Sequence, residues 1–333
     1  MVDSAVSDLV RHSERLAAAA GRAPSLHNAQ PWRLGVAPAS VDLYADRGRH
    51  LPVADPHGRQ MYLGLGAALF ALRLTLGDLH CACRVRLLPD SDQPDLAARL
   101  EAVGSRDPTP TEQQLLAQLQ HRRSVRTPFT DDGVPVPVRV ALGEHAEAEG
   151  TELRWVETMG ERRGVADLVL AAERQQQADP AYRAELATWT SAEVLSAGAG
   201  VPAEAFGVSA VAGHAAPFPL RDFGGGRDRQ PAPAAAGPLE QHPLVAVLST
   251  DTDRPVDWLV GGQALMRVLL AASSAGLVSS QLNQPVEIPP LRQRLRDELR
   301  LAGWPQVVLR LGYPAGPLPP PTPRRPIADV LLP

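Results

Sequence analysis

The stretch APSLHNAQPW, residues 23–32, sets polar side chains on a loop that two prolines stiffen. Ser25, Asn28 and Gln30 offer both hydrogen-bond donors and acceptors close to the backbone amides of this loop. Such a set suits the edge of a heteroaromatic ring, which presents alternating donors and acceptors. Trp32, at the end of the stretch, is interpreted as an anchor in the core. The stretch therefore predicts a ligand-binding loop beside a packed structural unit.

The residues on either side of this loop predict helices and strands. Residues 6–20 carry an apolar stripe at helical spacing, and Gly21 ends that predicted helix. A later segment is apolar on nearly all sides, which predicts a buried helix. The predicted elements that follow the loop are strands at 33–36, 41–45 and 81–88, the buried helix at 60–78, and a helix at 111–121 capped by Thr111.

A second set of elements begins near residue 122. It comprises predicted helices at 158–177, 180–195 and 256–275, strands at 244–249 and 306–313, and a proline-rich tail at 314–333 that extends across the surface. The helix at 256–275 is again apolar nearly all round. Between these elements, residues 198–241 are irregular and longer than an ordinary loop, so they are interpreted as a lid or a linker.

The two predicted apolar helices share an internal repeat. The first copy is Tyr62, Leu63, Gly66, Ala68 and Leu69, and the second, at one constant spacing, is Trp258, Leu259, Gly262, Ala264 and Leu265. Chance matching between two helices rich in alanine and leucine is the alternative. If the repeat is real, the chain consists of two similar halves. Small residues in both helices would then permit a close approach across a pseudo-twofold axis.

Two arginine clusters are candidate anion sites. In an extended conformation of the segment RRSVR, Arg122, Ser124 and Arg126 point to one face, where two guanidiniums flank a hydroxyl. This arrangement makes a clamp for a phosphate or a polyol. The second cluster is the pair Arg324 and Arg325, held between prolines near the end of the chain. For either cluster alone, an ordinary solvated surface is the competing interpretation.

Composition limits the class of protein. The chain has 333 residues, of which 44% are apolar and 21% charged, as in ordinary globular proteins. Its net charge of -4 argues against a nucleic-acid or acidic-membrane binder. No lysine occurs, which excludes a lysine Schiff base. Two cysteines, Cys81 and Cys83, are too few for a disulfide framework and are interpreted as a strand contact in preference to a metal site.

Targeting signals are not found in the sequence. No uninterrupted apolar run reaches the roughly 18 residues of a membrane span, and the first residues lack the apolar core of a signal peptide. A cytoplasmic location is therefore expected, with no membrane partner.

Several familiar catalytic motifs are also missing. There is no glycine-rich dinucleotide loop, no phosphate-binding P-loop, no nucleophile elbow and no histidine pair at metal-binding spacing. The histidines His12, His27, His57 and His145 are scattered, and each is predicted to lie on the surface or in a loop. No catalytic side chain and no metal ligand is assigned. This pattern favours chemistry that a cofactor carries out, and flavin hydride transfer fits it.

Taken together, these motifs resemble the nitroreductase family, most closely its long single-chain Acg-like branch. Residues 23–32 are similar to the family's A-P-S-x-x-N-x-Q-P-W signature at every defined position. Residues 122–126, followed by Phe129, resemble its R-x-S-x-R motif, and residues 309–314 with 323–326 resemble the strand and basic tail that close its site. The resemblance implies an α+β fold with a central mixed or antiparallel sheet wrapped by helices, and two fused half-units that form a pseudo-dimer.

The order of the motifs implies how the halves share a site. The A-P-S loop lies in a half comprising residues 1–121, whereas R-x-S-x-R and the basic tail lie in residues 122–333, together with the lid-like insert at about 198–241. Each half then keeps one side of a site, which predicts one FMN per chain. A second R-x-S-x-R spacing at residues 11–15 falls inside a predicted helix and is interpreted as a decoy or a remnant.

The resemblance also implies which residues contact FMN. Arg122, Ser124 and Arg126 would contact the ribityl chain and the phosphate, and Arg325 with Arg324 would complete the phosphate clamp. Pro24, Ser25 and Asn28 would line the isoalloxazine, and a loop at 276–281 would bring a backbone amide near its N5. The full set of expected contacts is Pro24, Ser25, Asn28, Gln30, Arg122, Arg123, Ser124, Arg126, Ser279, Ser280, Gln281, Arg324 and Arg325.

Three functions follow from this resemblance and stay open on the sequence. The first is an FMN-dependent oxidoreductase that exchanges hydride with a small aromatic, nitro or unsaturated substrate, with NAD(P)H as the possible electron donor. The second is a protein that holds or sequesters FMN without turnover. The third is a flavin-dependent biosynthetic dehydrogenase. The protein is expected to be a monomer or a homodimer.

Overall fold

The computed structural model describes residues 8–207, 221–224 and 243–333. Most of the predicted lid-like insert at about 198–241 lies outside these residues, as does the start of the helix predicted at 6–20.

The first half of the chain forms one antiparallel sheet with a long helix between its second and third strands. A 3-10 turn at Leu9–His12 precedes the first helix. The elements are α1 (Ser13–Ala20), β1 (Trp32–Ala37), β2 (Ser40–Ala45), α2 (Arg59–Asp78), β3 (Cys81–Leu87), β4 (Leu96–Ser105) and α3 (Pro110–Ala117). The strand order across the sheet is β1-β2-β4-β3.

The second half builds a sheet of the same design. Its elements are α4 (Val136–Glu147), β5 (Glu152–Val156), α5 (Met159–Ala178), α6 (Pro180–Thr188), α7 (Ala192–Ser196), β6 (Leu244–Thr250), α8 (Pro255–Ser274), β7 (Val278–Gln281), α9 (Gln284–Glu287), α10 (Pro289–Glu298), β8 (Trp304–Gly312) and α11 (Ile327–Val330). The strand order is β5-β6-β8-β7, again antiparallel. Thus α8 occupies in this sheet the position that α2 occupies in the first.

The predicted α+β class is confirmed, with one difference in the sheets. The strands divide into two separate four-stranded antiparallel sheets, where one central sheet was expected. Helices α2 and α8 lie between these sheets and contribute more buried residues to the main hydrophobic core than any other elements among the described residues. Each sheet can therefore bury one face against its own long helix, and the two helices bury their remaining faces against each other.

Local capping explains where several helices begin. The carboxylate of Asp55 accepts hydrogen bonds from the backbone amides of Gln60 (3.0 Å) and Met61 (2.9 Å), and it thereby caps the start of α2. Helix α3 begins with a capping box in which Thr109 accepts from the amide of Glu112. The prediction of Thr111 as this cap was therefore wrong, since Pro110 begins the helix and Thr109 precedes it.

Other differences from the expected elements have simple causes. The helix predicted at 180–195 is two helices, α6 and α7, and the predicted loop at 276–281 contains strand β7. The tail does cross the surface in extended form, but it ends in the short α11 and pairs with the first sheet, where the amide of Leu332 donates to the carbonyl of Leu34 (2.8 Å). Strands β4 and β5 and helices α4 and α10 were not predicted, because no strong periodicity marks them.

Helix α2 bears on the expectation about membrane spans. By length and mean hydropathy this helix could cross a membrane. However, 94% of its apolar window is buried inside the protein, where it packs against α8 and the first sheet. Its apolar character is therefore that of a core helix.

The central contact of the fold joins Gly66 of α2 to Gly262 of α8. A Cβ atom on Gly66 would lie 2.1 Å from the carbonyl oxygen of Leu259, and one on Gly262 would lie 2.1 Å from the carbonyl oxygen of Leu63. Both distances are far below any real contact, so only glycine allows the two backbones to approach this closely.

This contact is reciprocal between the two copies of the predicted repeat. Leu63 and Gly66 of one helix meet Gly262 and Leu259 of the other, and the Tyr62 ring lies edge-on to Trp258 with centroids 6.0 Å apart. Residues that match in the repeat are thus neighbours across the helix crossing. This reciprocity supports the interpretation that the two halves are related by a repeat.

We predict that Gly66→Ala or Gly262→Ala lowers the free energy of unfolding by about 3 kcal/mol or more, because the added methyl overlaps backbone atoms of the facing helix. Gly143 in α4 is a matched control, since a Cβ there meets nothing within 4 Å. Gly143→Ala is expected to be neutral or to stabilise by up to about 1 kcal/mol, the usual helix preference for alanine. Urea unfolding followed by circular dichroism measures all three. Equal effects at the three positions would contradict the close contact.

Candidate cofactor site

One cavity brings segments of both halves together. From the first half it is lined by the loop that precedes β1 and by the first turns of α2. From the second half it is lined by residues 122–126, the end of β7, helix α8, and the tail. Its lining residues include Arg22, Pro24, Ser25, His27, Asn28, Gln60, Leu63, Gly64, Arg122, Arg123, Ser124, Arg126, Arg221, Phe223, Ser280, Gln281, Glu287 and Arg324.

The loop at 23–32 holds a backbone conformation that its side chains stabilise. His27, Asn28 and Gln30 all have positive φ angles, of 49°, 57° and 53°, which are rare for residues other than glycine. The backbone amide of Gln30 donates to the Ser25 hydroxyl (2.9 Å), which fixes the turn. Trp32 is fully buried, as predicted for a core anchor.

Asn28 connects this loop to two distant parts of the chain. Its side-chain amide donates to the carbonyls of Gly200 and Pro323, at 2.9 Å each, and its Oδ1 accepts from Arg324 (2.9 Å). All of these partners lie in the second half of the chain. Asn28 therefore joins the two walls of the cavity in addition to lining it.

Gln30 and Arg325 do not reach the cavity. The Gln30 side chain is fully buried, donates to the carbonyl of Gly198 (2.9 Å) and accepts from the backbone amide of Arg325 (3.0 Å). The Arg325 guanidinium donates to the carbonyls of Gln30 and Trp32 and forms an ion pair with Asp46 (3.2 Å). Both residues hold the tail against the first half, in contrast to the cofactor contacts expected of them.

Four arginines converge at one end of the cavity. Arg122 is buried, and one of its nitrogens donates to the carbonyl of Arg22 (3.1 Å). Burial and the nearby charges of Arg123 and Arg22 lower the pKa of Arg122 to about 10. Burial, Arg122 and Arg22 lower the pKa of Arg324 to about 9. Both of these pKa values lie above neutral pH, so Arg122 and Arg324 remain charged and this end of the cavity attracts an anion.

Strand β7 supplies the neighbouring wall. Ser124 pairs with Ser279 in a short parallel bridge, and the Ser124 hydroxyl donates to Oε1 of Gln281 (3.0 Å). Ser280 and Gln281 line the cavity, whereas Ser279 does not and instead accepts at its carbonyl from the amide of Val125 (2.8 Å). The strand thus aligns residues 122–126 and presents two polar side chains to the cavity.

Arg126 lies in a second charged cluster, apart from the first. Its guanidinium carbon is 4.8 Å from the centre of the Phe223 ring, and its Nη1 donates to the carbonyl of Ala205 (2.7 Å). Arg221 beside it forms a buried two-pronged ion pair with Glu287, at 2.6 and 2.7 Å. Burial and the charge of Arg221 lower the pKa of Arg126 to about 10.

His27 also belongs to this second cluster: it lies in the loop at 23–32, as a surface or loop position was predicted, but it is not on the surface. It is buried, and its ring lies edge-on to Phe223 with centroids 5.8 Å apart. Burial, Arg221 and Arg126 lower the pKa of His27 well below its ordinary value. The imidazole is therefore neutral at neutral pH and can serve as a hydrogen-bonding group.

The structure brings most of the predicted site residues together. Those that line the cavity are Pro24, Ser25, Asn28, Arg122, Arg123, Ser124, Arg126, Ser280, Gln281 and Arg324, and those that do not are Gln30, Ser279 and Arg325. Sequence reasoning missed Arg22, His27, Gln60, Arg221, Phe223 and Glu287. Arg22 and His27 could have been found, because they adjoin or lie within the A-P-S loop. No local pattern distinguishes Arg221, Phe223 and Glu287.

The chemistry of the lining fits FMN. Several buried polar atoms have no hydrogen-bond partner among the described residues, and those that line this cavity are Nε and Nη1 of Arg122, Nε of Arg324, Nε2 of His27, Gln60 and Gln281, and Oγ of Ser280. Guanidinium donors at one end suit a phosphate, and amide and hydroxyl groups along the wall suit ribityl and ring atoms. Within the described ranges, no cluster of His, Cys, Asp or Glu is suited to a metal ion.

Comparison with known proteins gives the family. The chain is 32% identical over 316 residues to "Putative NAD(P)H nitroreductase Rv3131" of Mycobacterium tuberculosis H37Rv, covering 93% of this chain and 88% of the relative. It is 30% identical over 335 residues to "Putative NAD(P)H nitroreductase acg" of the same organism, covering 99% of this chain and 97% of the relative. A third relative, "Uncharacterized protein Rv3127", is 31% identical over 324 residues, covering 93% and 90%. No protein-family model matches the chain.

The chain therefore belongs to the nitroreductase family, in its Acg-like branch, as the sequence motifs indicated. Solved structures show a weaker likeness. One is a nitroreductase with bound FMN from Bacteroides fragilis NCTC 9343, with 16% identity, 61% of this chain and 90% of that chain covered, and a TM-score of 0.37. Another is the FMN and NADPH-dependent nitroreductase NfnB, which is 19% identical, with 65% of this chain and 96% of that chain covered and a TM-score of 0.41. The family assignment depends on the curated relatives alone.

We predict that Asn28→Ala lowers the free energy of unfolding by about 3 kcal/mol, because it removes three hydrogen bonds and forces alanine into a left-handed conformation. Asn28→Gly removes the same hydrogen bonds without that backbone strain. The glycine variant is therefore expected to be about 1 kcal/mol more stable than the alanine variant. Chemical unfolding compares them, and Gln114→Ala, which loses one exposed hydrogen bond, is the control. Identical stabilities for the two Asn28 variants would refute the strained conformation.

Proposed function

We propose that this protein binds one FMN per chain between its two halves and works as an oxidoreductase on small molecules. The observation that carries this proposal is the convergence of unpartnered buried polar atoms from both halves on a single cavity, with charged guanidinium donors at one end. Leaving such groups buried without partners costs free energy, and a phosphate and a polar ring would satisfy them. The relatives named as NAD(P)H nitroreductases support the same class of activity.

The phosphate end would be formed by Arg122 and Arg324. Arg122 is buried and retains two nitrogens without a partner among the described residues, and Nε of Arg324 is in the same condition. Two guanidinium forks provide the bidentate hydrogen bonds that a phosphate accepts. Ser124, already bonded to Gln281, would lie beside the ribityl chain.

The ring end would lie against the first turns of α2. Leu63 and Gly64 line the cavity there, and a Cβ on Gly64 would meet the Ser25 side chain at 3.4 Å. Gly64 therefore lies close to Pro24 and Ser25, so helix α2 and the loop meet at this end of the cavity. Gln60, Ser280 and Gln281 would offer hydrogen bonds to the polar edge of the ring, through atoms that lack partners among the described residues.

FMN, when bound, supplies two-electron redox chemistry, and the protein residues have supporting roles. His27 and Phe223 are buried, and Phe206 stacks on Phe223 with ring centroids 5.4 Å apart, so aromatic rings cover part of the second cluster. Arg126 and Arg221 keep that region positive.

The substrate would be a small aromatic, nitro or unsaturated compound. Two half-units at residues 1–121 and 122–333, fused into a pseudo-dimer, are proposed as the origin of the single site.

We predict that Arg122→Gln weakens FMN binding by about 1.5 to 3 kcal/mol, the size of a lost hydrogen bond to a charged group. Arg325→Gln is the matched control, since its guanidinium is occupied by Gln30, Trp32 and Asp46. It should lower the free energy of unfolding by about 2 kcal/mol and leave FMN affinity within about threefold. Quenching of FMN fluorescence gives the affinities. An unaltered affinity in Arg122→Gln would show that the phosphate lies elsewhere.

Turnover is tested separately from binding. The purified protein with FMN is treated with NADPH without oxygen, and loss of the flavin absorbance near 450 nm, roughly the usual flavin maximum, reports reduction. Bleaching is expected for an oxidoreductase. A yellow protein that no nicotinamide bleaches would instead support a protein that sequesters FMN.

A further inference from the structure

The cavity carries far more positive charge than FMN alone would balance. Among the described residues, its lining contains six arginines, Arg22, Arg122, Arg123, Arg126, Arg221 and Arg324, and one carboxylate, Glu287. Only Arg221 has an ion pair among the described residues, and its partner is that carboxylate. The chain as a whole is acidic, with a net charge of -4, so a generally basic protein does not explain this concentration. A phosphate monoester brings a charge of only about -1.5 to -2 at neutral pH.

The four arginines at the phosphate end form a deep pair and a rim pair. Arg122 is buried, and Arg324, although half-buried as a residue, has a buried Nε without a partner among the described residues, so these two form the deep pair. Arg22 and Arg123 are only half-buried and form the rim pair. One phosphate dianion matches the charge of the deep pair, which leaves the rim pair without a counter-charge. Neighbouring like charges without a counter-charge repel each other, and a second anion would relieve that repulsion.

Backbone hydrogen bonds hold the side chain of Arg123 and the main chain of Arg22. Arg123 donates from Nη1 to the carbonyl of Pro319 (2.8 Å) and from Nε to the carbonyl of His121 (3.3 Å). The carbonyl of Arg22 accepts from Arg122 (3.1 Å), which fixes the backbone of Arg22 beside the deep pair. No hydrogen bond from the Arg22 guanidinium reaches a described residue. The Arg123 guanidinium is thus held by backbone carbonyls, whereas the Arg22 guanidinium lines the cavity without a hydrogen bond to a described residue.

We propose that Arg22 and Arg123 bind the 2′-phosphate of NADPH, and that the protein consequently selects NADPH over NADH as electron donor. This inference rests on the proposed function. A 2′-phosphate is a compact dianion, and arginine is the side chain suited to bind it through paired hydrogen bonds. NADH carries only the two pyrophosphate charges, and FAD replaces the monoester of FMN with a pyrophosphate of similar total charge. Neither adds the dianion that the rim pair lacks.

The donor step balances without further reactants. One hydride passes from the dihydronicotinamide ring of NADPH to the flavin, so that NADP⁺ leaves and the flavin gains two electrons. Arg22 and Arg123 do not touch the reacting atoms, so they act as specificity residues. Their effect should appear in donor affinity and in the choice between donors, while the intrinsic reduction rate at saturating donor changes little.

Binding of two nucleotide fragments tests the proposal without turnover. Calorimetry on the FMN-loaded protein compares 2′,5′-ADP with 5′-AMP, which differ by the 2′-phosphate alone. The wild-type protein is expected to bind 2′,5′-ADP at least about tenfold more tightly, the effect of one lost charged hydrogen bond. Arg22→Gln and Arg123→Gln should each reduce this preference to about threefold or less, and Arg123→Lys should retain part of it. Arg174→Gln, an exposed arginine of α5 outside the cavity, is the charge-matched control and should change nothing.

Reduction of the flavin gives a second readout. Without oxygen, kcat/KM for NADPH is expected to exceed that for NADH by about tenfold or more. The two donors should differ in KM and not in kcat. Each rim variant should remove most of this preference for NADPH. FMN affinity in these variants should fall by less than tenfold, since Arg122 and Arg324 would hold the FMN phosphate.

Three results would overturn the inference. One is equal binding of 2′,5′-ADP and 5′-AMP by the wild-type protein. Another is a rim variant that loses FMN affinity tenfold, since the rim pair would then belong to the FMN phosphate. The last is tighter binding of FAD than of FMN with no preference for NADPH. Failure to bind FMN at all would instead defeat the proposed function, and the fragment comparison can be made on the protein as purified.

Discussion

The rest of the structure depends on the approach of two backbones at Gly66 and Gly262. Because neither residue has a Cβ, the carbonyls of Leu259 and Leu63 come into direct contact with the facing helix. This spacing sets the distance between the two sheets, since each sheet packs on one of these helices. It also sets the width of the cavity, because Leu63 on α2 and Leu265 on α8 both line it. A wider helix pair would separate the walls that the site needs.

Without a ligand, the site lowers the stability of the folded protein. Arg122 is buried with two nitrogens that lack partners among the described residues, and neighbouring arginines repel it. The loop beside it places His27, Asn28 and Gln30 in left-handed conformations that ordinary residues avoid. Strain and uncompensated charge in one place are typical of a ligand site. The close helix pair and the tail that Arg325 holds in place offset these costs.

The A-P-S loop and the two apolar helices could be recognised from the sequence because their signals are local. Proline and polar residues mark the loop, and an unbroken apolar surface marks a core helix. The roles of Gln30 and Arg325 were not readable in this way. Arg324 lines the cavity, whereas the adjacent Arg325 binds the backbone of the first half, and only the path of the tail decides between them. Arg221 and Phe223 reach the cavity from the remote insert, where no neighbouring pattern marks them.

The sequence by itself determined the family, the α+β class, the loop that lines the site, and the presence of arginines for an anion. These properties depend on residue type and short-range spacing, which the sequence states directly. The tertiary structure decided that the strands form two sheets, that Arg126 joins a second cluster with Arg221 and His27, and that Arg22 stands at the rim. Such facts depend on which distant segments come together. That pairing is determined by how the two central helices pack, and it follows from no single stretch of the chain.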